Sequence, residues 1–197
     1  MGLFERTGRF FFEWRDKLPI PLVLALPACA RPRFFNWLIG LPFVLTGELL
    51  RVWSLMHIGP ATRTREICAD KLITSGPYCC CRNPIYLANL LKITGFICIS
   101  GNLPYAITVM VFYLVEFCCI IPYEESYLAG KFPDEFERYK RLVPAVIPYK
   151  GKSAELNAPA TFSLSDALRS ERKTFLSTAA ILVILAACSI LGKEKSA

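Results

Sequence analysis

Long apolar blocks separated by charged stretches dominate the chain, and the length of each block fixes what it can form. A helix that crosses a bilayer needs about 20 predominantly apolar residues. Block 34–55 meets that length and carries Gly40, Pro42 and Gly47, which membrane helices tolerate. Blocks 85–100 and 103–121 are parted only by Gly101 and Asn102, a break short enough to predict a tight helical hairpin. A last block, 175–191, sits near the lower limit of length. Residues 18–30 are apolar but hold Pro19, Pro21 and Pro27, behind the basic residues Arg6, Arg9, Arg15 and Lys17. They read as a short first span, extended at its N-terminal end, or as a re-entrant segment, in preference to a cleaved leader ending at Cys29. The pattern predicts an all-α integral membrane bundle of about five spans in a single domain over 1–197. Within it, N-terminal spans cover 18–56, a core over 57–150 holds the hairpin 84–121, and a linker with the last helix fills 151–197.

Composition sharpens this picture. Hydrophobic residues make up 54% of the 197 positions, above the roughly 45–50% of soluble domains. The net charge is +7, but the basic residues flank apolar blocks and form no domain of their own, which argues against nucleic acid as a partner. Their distribution sets topology instead. Arg63, Arg65, Lys71 and Arg82 in one loop, and Lys131, Arg138, Lys140, Arg141, Lys150, Lys152, Arg169, Arg172 and Lys173 in another, fall on the same side as the basic N-terminus. That bias predicts a cytoplasmic N-terminus and two cytoplasmic polar loops. Of the nine cysteines, Cys98, Cys118, Cys119 and Cys188 lie inside apolar blocks, where a thiol behaves as a small hydrophobe. Cys79, Cys80 and Cys81 are consecutive and cannot all turn to one ion, so no metal site is expected. Ser165 is the expected N-cap of the last helix.

Charges within membrane helices cost at least ~2.5–3.5 kcal/mol at the centre, so each needs a reason. Glu48 and Arg51 stand three apart and are expected to pair on one helix face. Lys92 and Glu116 lie on the two arms of the hairpin, at depths that differ by about 6 Å. They read either as a neutralising interhelical pair or as a polar wall that touches a substrate.

Two motifs carry candidate chemistry. The first runs Leu72-Ile-Thr-Ser-Gly-Pro-Tyr78, through the three cysteines, to Arg82-Asn-Pro-Ile-Tyr86. Ser75-Gly76-Pro77 is turn chemistry, and Asn83-Pro84 is a helix start with Asn as cap and Pro first inside. Such an N-terminus faces an anion with its free amides. Arg82 adds a planar fork for a carboxylate, and Tyr78 and Tyr86 are suited to an adenine or a sulfonium cation. The bland alternative is an interfacial turn with belt tyrosines. The second motif is Glu124-Glu125, then Phe132-Pro-Asp-Glu-Phe136, Tyr139 and Val143-Pro-Ala-Val-Ile-Pro148. A tight hairpin must bring the two motifs to one face, where a carboxylate suits the amino group or ribose hydroxyls of a cofactor. Alone, the two glutamates also fit a solvated acidic helix start.

Taken together, LxTSGPY, RNPxY, EE, FxxEFxxY and VPxxxP over about 70–149 resemble the isoprenylcysteine carboxyl methyltransferase family and its bacterial relatives. The resemblance implies S-adenosylmethionine as cofactor, held at Asp70, Lys71, Leu72, Ile73, Tyr78, Asn83, Pro84, Ile85, Tyr86, Glu124 and Glu125. It also implies a multi-pass protein of the bacterial inner membrane with its active site toward the cytoplasm. Arg82 and Glu124 are the candidate catalytic positions, and Lys92 or Glu116 the candidate contacts to the acceptor. Asp70 and Asn83 stand where the family carries histidine, and Ile120 where the prenylcysteine enzymes carry an arginine for the acceptor carboxylate. The expected partner is therefore a lipophilic small molecule or lipid, with a prenylcysteine-like carboxylate and a lipid amine both open. An NADPH-dependent membrane reductase and a non-catalytic membrane scaffold are the rival readings.

Overall fold

A computed structural model describes residues 3–59, 71–148 and 159–194. The regular elements among the described residues are all helical: α1 (Leu3–Trp14), α2 (Ile20–Cys29), α3 (Phe34–Ile58), a 3-10 turn (Gly76–Cys79), α4 (Pro84–Ser100), α5 (Leu103–Lys131), α6 (Pro133–Leu142) and α7 (Leu164–Glu194). Among them three are long and apolar enough to cross a membrane: Phe34–Ile58, Leu103–Lys131 and Leu164–Leu191. Of the other two expected spans, α4 has 17 residues, a length of about 26 Å, and α2 only 10, about 15 Å. The reason for the short α2 lies in its prolines. Pro19 and Pro21 open it, and a turn over 15–19 separates it from the amphipathic α1.

With α1 and α2 counted as one broken rod, the rod, α3, α4, α5 and α7 alternate in direction, so their ends gather into two groups. At one end Arg31 N donates to Ser100 O (2.7 Å), the Asn102 amide to Cys29 O (2.9 Å) and Ser189 Oγ to Pro32 O (3.3 Å). That end holds the hairpin turn, where Gly101 takes φ 64 and the Asn102 side chain accepts from Tyr105 N. The opposite end gathers the end of α3, the 3-10 turn, the start of α4, the end of α5, α6 and the start of α7. Leu26, Val44, Ile99 and Leu185 join α2, α3, α4 and α7 into the core nearest the hairpin turn. Leu24, Leu49, Val183 and Ile190 point outward at 63–74% exposure, an apolar girdle suited to lipid.

Lipid tails are as apolar as leucine, so close contact between membrane helices depends on small residues. Here α3 and α4 touch backbone to backbone. A Cβ on Gly40 would stand 2.5 Å from Gly95 O, and one on Gly95 would stand 2.6 Å from Gly40 O. Because α4 leans on α3 through these glycines, the two arms of the hairpin diverge and leave space between α4 and α5. Along α5, α1 and α2 run as two halves of a broken rod. Gly8 abuts Tyr123 and Cys119, and Leu22 O receives the Tyr105 hydroxyl at 2.9 Å.

Three local expectations change. The helix expected to end at Ile121 continues through Pro122 to Lys131, so Glu124 and Glu125 lie inside α5 and not at a new helix start. The last helix is capped by Ser163, whose hydroxyl accepts from Asp166 N (3.2 Å) and donates to the Asp166 carboxylate (2.6 Å); Ser165 lies inside the helix. Pro84 is the first residue of α4 as expected, but the Asn83 side chain makes no cap bond.

Candidate functional site

The two motifs meet at the start of α4. The Arg82 fork binds both oxygens of Glu125, Nε to Oε1 and Nη2 to Oε2, each at 3.0 Å. Asn83 Nδ2 donates to the same Oε1 at 2.9 Å, which is why it does not cap its own helix. The strand-like stretch after α6 is pinned to the same pair of residues. Arg82 Nη1 donates to Val143 O (2.5 Å), Arg82 N to Pro144 O (2.8 Å) and Asn83 N to Ala145 O (3.1 Å). The fork expected to meet a ligand carboxylate is thus engaged by Glu125, and it ties three chain segments into one wall. Tyr139 adds to that wall from α6, its hydroxyl donating to Tyr78 O at 2.7 Å in a fully buried contact.

Behind this wall lies a cavity of about 680 Å³. Every expected site residue within the described chain lines it: Lys71, Leu72, Ile73, Tyr78, Arg82, Asn83, Pro84, Ile85, Tyr86, Lys92, Glu116, Glu124 and Glu125. Asp70 lies outside the described residues. Adjacent residues of a helix point about 100° apart, so Glu124 and Glu125 divide: Glu125 faces the clamp, and Glu124 accepts a hydrogen bond from the Tyr86 hydroxyl at the cavity wall. The Tyr78 hydroxyl is buried without a hydrogen-bond partner among the described residues. Burial pushes it well above its ordinary range, with Tyr139 and Glu124 acting in the same direction and Arg51 opposing. It remains a neutral donor with nothing to donate to.

The charges inside the bundle pair differently from the expectation. Arg51 Nε binds Glu171 of α7 at 2.7 Å, and its Nη1 binds Asn89 of α4 at 2.8 Å. Glu48 instead accepts from Lys92 at 2.6 Å and from Thr178 at 2.6 Å. Glu48 and Arg51 therefore do not pair with each other. The physical reason is the partner on offer: each finds an opposite charge on a helix packed against α3, where both partners are largely buried and the attraction is larger than on a helix surface. The same preference corrects the pairing of Lys92 with Glu116. Lys92 turns to α3, on which α4 rests, and Glu116 is left on the far side of the diverging hairpin.

Several cavity groups escaped the sequence reading. Arg51 and Asn89 carried no motif, and Glu171, which holds Arg51 from behind without lining the cavity, sits in a helix that looked like a plain last span. Arg15 and Asp16, in the break between α1 and α2, also line the cavity. Their signal was present as charges directly before a proline-interrupted apolar run, since irregular backbone among membrane helices is tolerated where it faces a cavity. His57, the only histidine, accepts or donates one hydrogen bond with Ser75 Oγ at 2.9 Å. Gly76 (φ 61) lies flat against its ring, where a Cβ would overlap the imidazole.

Comparison with known proteins now bears on the cavity. Residues 35–135 match the family model described as phospholipid methyltransferase. The chain is 31% identical over 119 residues to the cobalt-zinc-cadmium resistance protein CzcN of Cupriavidus metallidurans, covering 58% of this chain and 52% of that one. It is 31% identical over 114 residues to protein-S-isoprenylcysteine O-methyltransferase B of Arabidopsis thaliana, covering 56% and 58%. It is 31% identical over 118 residues to protein-S-isoprenylcysteine O-methyltransferase of Schizosaccharomyces pombe, covering 55% and 48%. The chain thus spans about half the length of the curated relatives it matches. No solved structure matches it. The matched segment takes in α3, α4, α5 and the start of α6, which supply both glutamates, the Arg82 clamp and most of the cavity lining.

Proposed function

The chain belongs to the phospholipid methyltransferase family, and on that premise we propose that it transfers a methyl group from S-adenosylmethionine to a lipophilic acceptor held within the membrane. The observation that carries this reading is the single cavity in which Tyr78, Tyr86, Glu124 and the α4 N-terminus face one another. The residues fit the cofactor. The unpartnered Tyr78 hydroxyl, the Glu124 carboxylate and the amides that open α4 offer a donor, an anion and an anion-binding end within one enclosure. When bound, the cofactor supplies a methyl group already activated by a positive sulfur.

The work left to the protein is alignment and exclusion of water. Glu124 and the Tyr86 hydroxyl orient the cofactor as one hydrogen-bonded pair, and Leu72 and Ile73 line the cavity on the loop before α4. Arg82 acts through Glu125, fixing the wall that carries Asn83 and Val143–Ala145. Tyr86, Tyr113 and Phe117 present ring faces and edges suited to a sulfonium. The positive-inside distribution supports a cytoplasmic opening for this end of the bundle. The test is transfer of isotopic methyl from S-adenosylmethionine to material extractable into organic solvent, with the purified protein in lipid. Label that stays in the aqueous phase with every lipid offered would contradict the proposal.

A further inference from the structure

Three cysteines stand between Tyr78 of the cavity and Arg82 of the clamp, and their thiols are not equivalent. Cys81 is 2% exposed, whereas Cys79 and Cys80 are half-buried. None of the three lines the cavity. Cys79 Sγ and Cys80 Sγ stand 3.8 Å apart in a direct thiol–thiol contact.

Neighbouring side chains in a helix point about 100° apart, so two consecutive thiols meet only where the winding stops. Cys79 is the last residue of the 3-10 turn and Cys80 is its C-cap, with Cys80 N and Cys81 N both donating to Pro77 O. Cys118 and Cys119 are also consecutive, but they lie inside α5, where regular winding holds their side chains apart. The turn is gripped on both sides of the thiol pair. The Tyr139 hydroxyl donates to Tyr78 O at 2.7 Å, and Arg82 N donates to Pro144 O at 2.8 Å. Two ligand atoms already held in place lose little freedom when an ion arrives.

Their separation decides what the pair can take. A disulfide needs its sulfurs about 2.05 Å apart, so closing this pair means a movement of about 1.8 Å across a single peptide link. Two sulfurs each about 2.3 Å from one ion, a usual metal–thiolate length, stand at most about 4.6 Å apart. The observed 3.8 Å lies within that span. Zinc asks for four ligands, and among the described residues no group of three or more His, Cys, Asp or Glu gathers to hold an ion. Calcium and magnesium ask for oxygen. A soft ion satisfied by two sulfurs is what remains, and thiolates select Cu(I).

We propose that Cys79 and Cys80 form a two-thiolate site for a soft monovalent cation of the Cu(I) kind, outside the methyl-transfer cavity and independent of it. Each thiol releases its proton as its sulfur takes the ion, so two protons leave and the two-thiolate complex carries one negative charge. No oxidation state changes. An ion held there ties the end of the 3-10 turn to its cap, beside the Tyr78 carbonyl that Tyr139 grips.

The test uses the full chain in lipid nanodiscs, reduced and free of oxygen. Cu(I) is titrated against the chromophoric competitor bicinchoninate for the wild type, Cys79→Ser, Cys80→Ser and the control Cys118→Ser. The wild type is expected to hold a single Cu(I) per chain, and Cys118→Ser to match it. Cys79→Ser and Cys80→Ser should each bind at least about 100-fold more weakly, the upper end of what groups that merely support a ligand are worth. An unchanged unfolding midpoint of the metal-free variants shows them folded. X-ray absorption of the copper-loaded wild type is expected to show two sulfur neighbours, and this reading stands whatever the variants do. Equal copper affinity in Cys79→Ser means an adventitious ion only and overturns the proposal. Nitrogen or oxygen neighbours in the wild type overturn it as well, and so does equal affinity for Zn2+, which would require further ligands.

Discussion

Arg82 grips both oxygens of Glu125 at 3.0 Å across 43 positions of sequence, joining the start of α4 to the end of α5, while its Nη1 and backbone N hold the stretch after α6. Removing one partner of such a pair strands the other in a poorly solvated place. Arg82→Ala is expected to lower stability by about 3 kcal/mol, read as the midpoint of thermal unfolding in detergent. Arg82→Lys should recover little, because a point charge cannot reproduce the planar two-bond fork. A wild-type midpoint in Arg82→Ala would show that the clamp holds nothing.

The pair Arg51–Glu171 ties α7 to the matched family segment at 2.7 Å, with Glu171 fully buried. Glu171→Ala leaves Arg51 without its anion and is expected to cost about 3 kcal/mol. The double variant Arg51→Met with Glu171→Leu should recover most of that loss, since a packed apolar pair replaces an ion pair without the desolvation penalty. Unfolding curves for the single and double variants decide it; equal losses in both would mean that the charges themselves are required.

Gly95 meets the Gly40 carbonyl so closely that any side chain must push α3 and α4 apart. Gly95→Val is expected to destabilise the bundle by about 3 kcal/mol or more, and the yield of monodisperse protein in detergent should fall with it. Gly130, whose Cβ would meet nothing within 4 Å, is the control: Gly130→Ala should be neutral or slightly stabilising, because it improves helix propensity by up to about 1 kcal/mol.

Cys81 is buried beside the clamp, and burial pushes its thiol up from 9.0 to about 11. The folded state therefore favours the neutral form. Its contribution to stability is complete below the unfolded value and is lost as pH rises through about 11. At pH 8 Cys81 should resist iodoacetamide in the native protein and react after unfolding, by mass spectrometry of the modified peptides. Rapid native labelling would place the thiol in solvent.

Much of the architecture was legible because it follows from periodicity and punctuation. The hairpin was fixed by Gly101-Asn102 between two apolar blocks, and the start of α4 by Asn83-Pro84. The convergence of Arg82 with the paired glutamates followed from the shortness of that turn. What the sequence hid depends on which helix a helix rests upon. Lys92 and Glu116 look like natural partners on two arms of one hairpin, but Gly40 and Gly95 draw α4 toward α3, and Lys92 goes with it to Glu48. The reach of Arg51 to Glu171 spans 120 positions and leaves no local pattern. The continuation of α5 past Pro122 was masked because a proline inside an apolar helix reads as a boundary, although membrane helices accommodate it.

The most direct test of the cofactor site is calorimetric titration of S-adenosylhomocysteine into the purified protein, wild type and Glu124→Gln, with NADPH titrated in parallel. A methyltransferase with this cavity binds S-adenosylhomocysteine in the micromolar range and ignores NADPH. Glu124→Gln should weaken binding by about 10- to 100-fold, the worth of a hydrogen bond to a charged group, without shifting the unfolding midpoint. Binding of NADPH in its place would assign the cavity to a reductase. Equal affinity in wild type and Glu124→Gln would contradict the role given to Glu124.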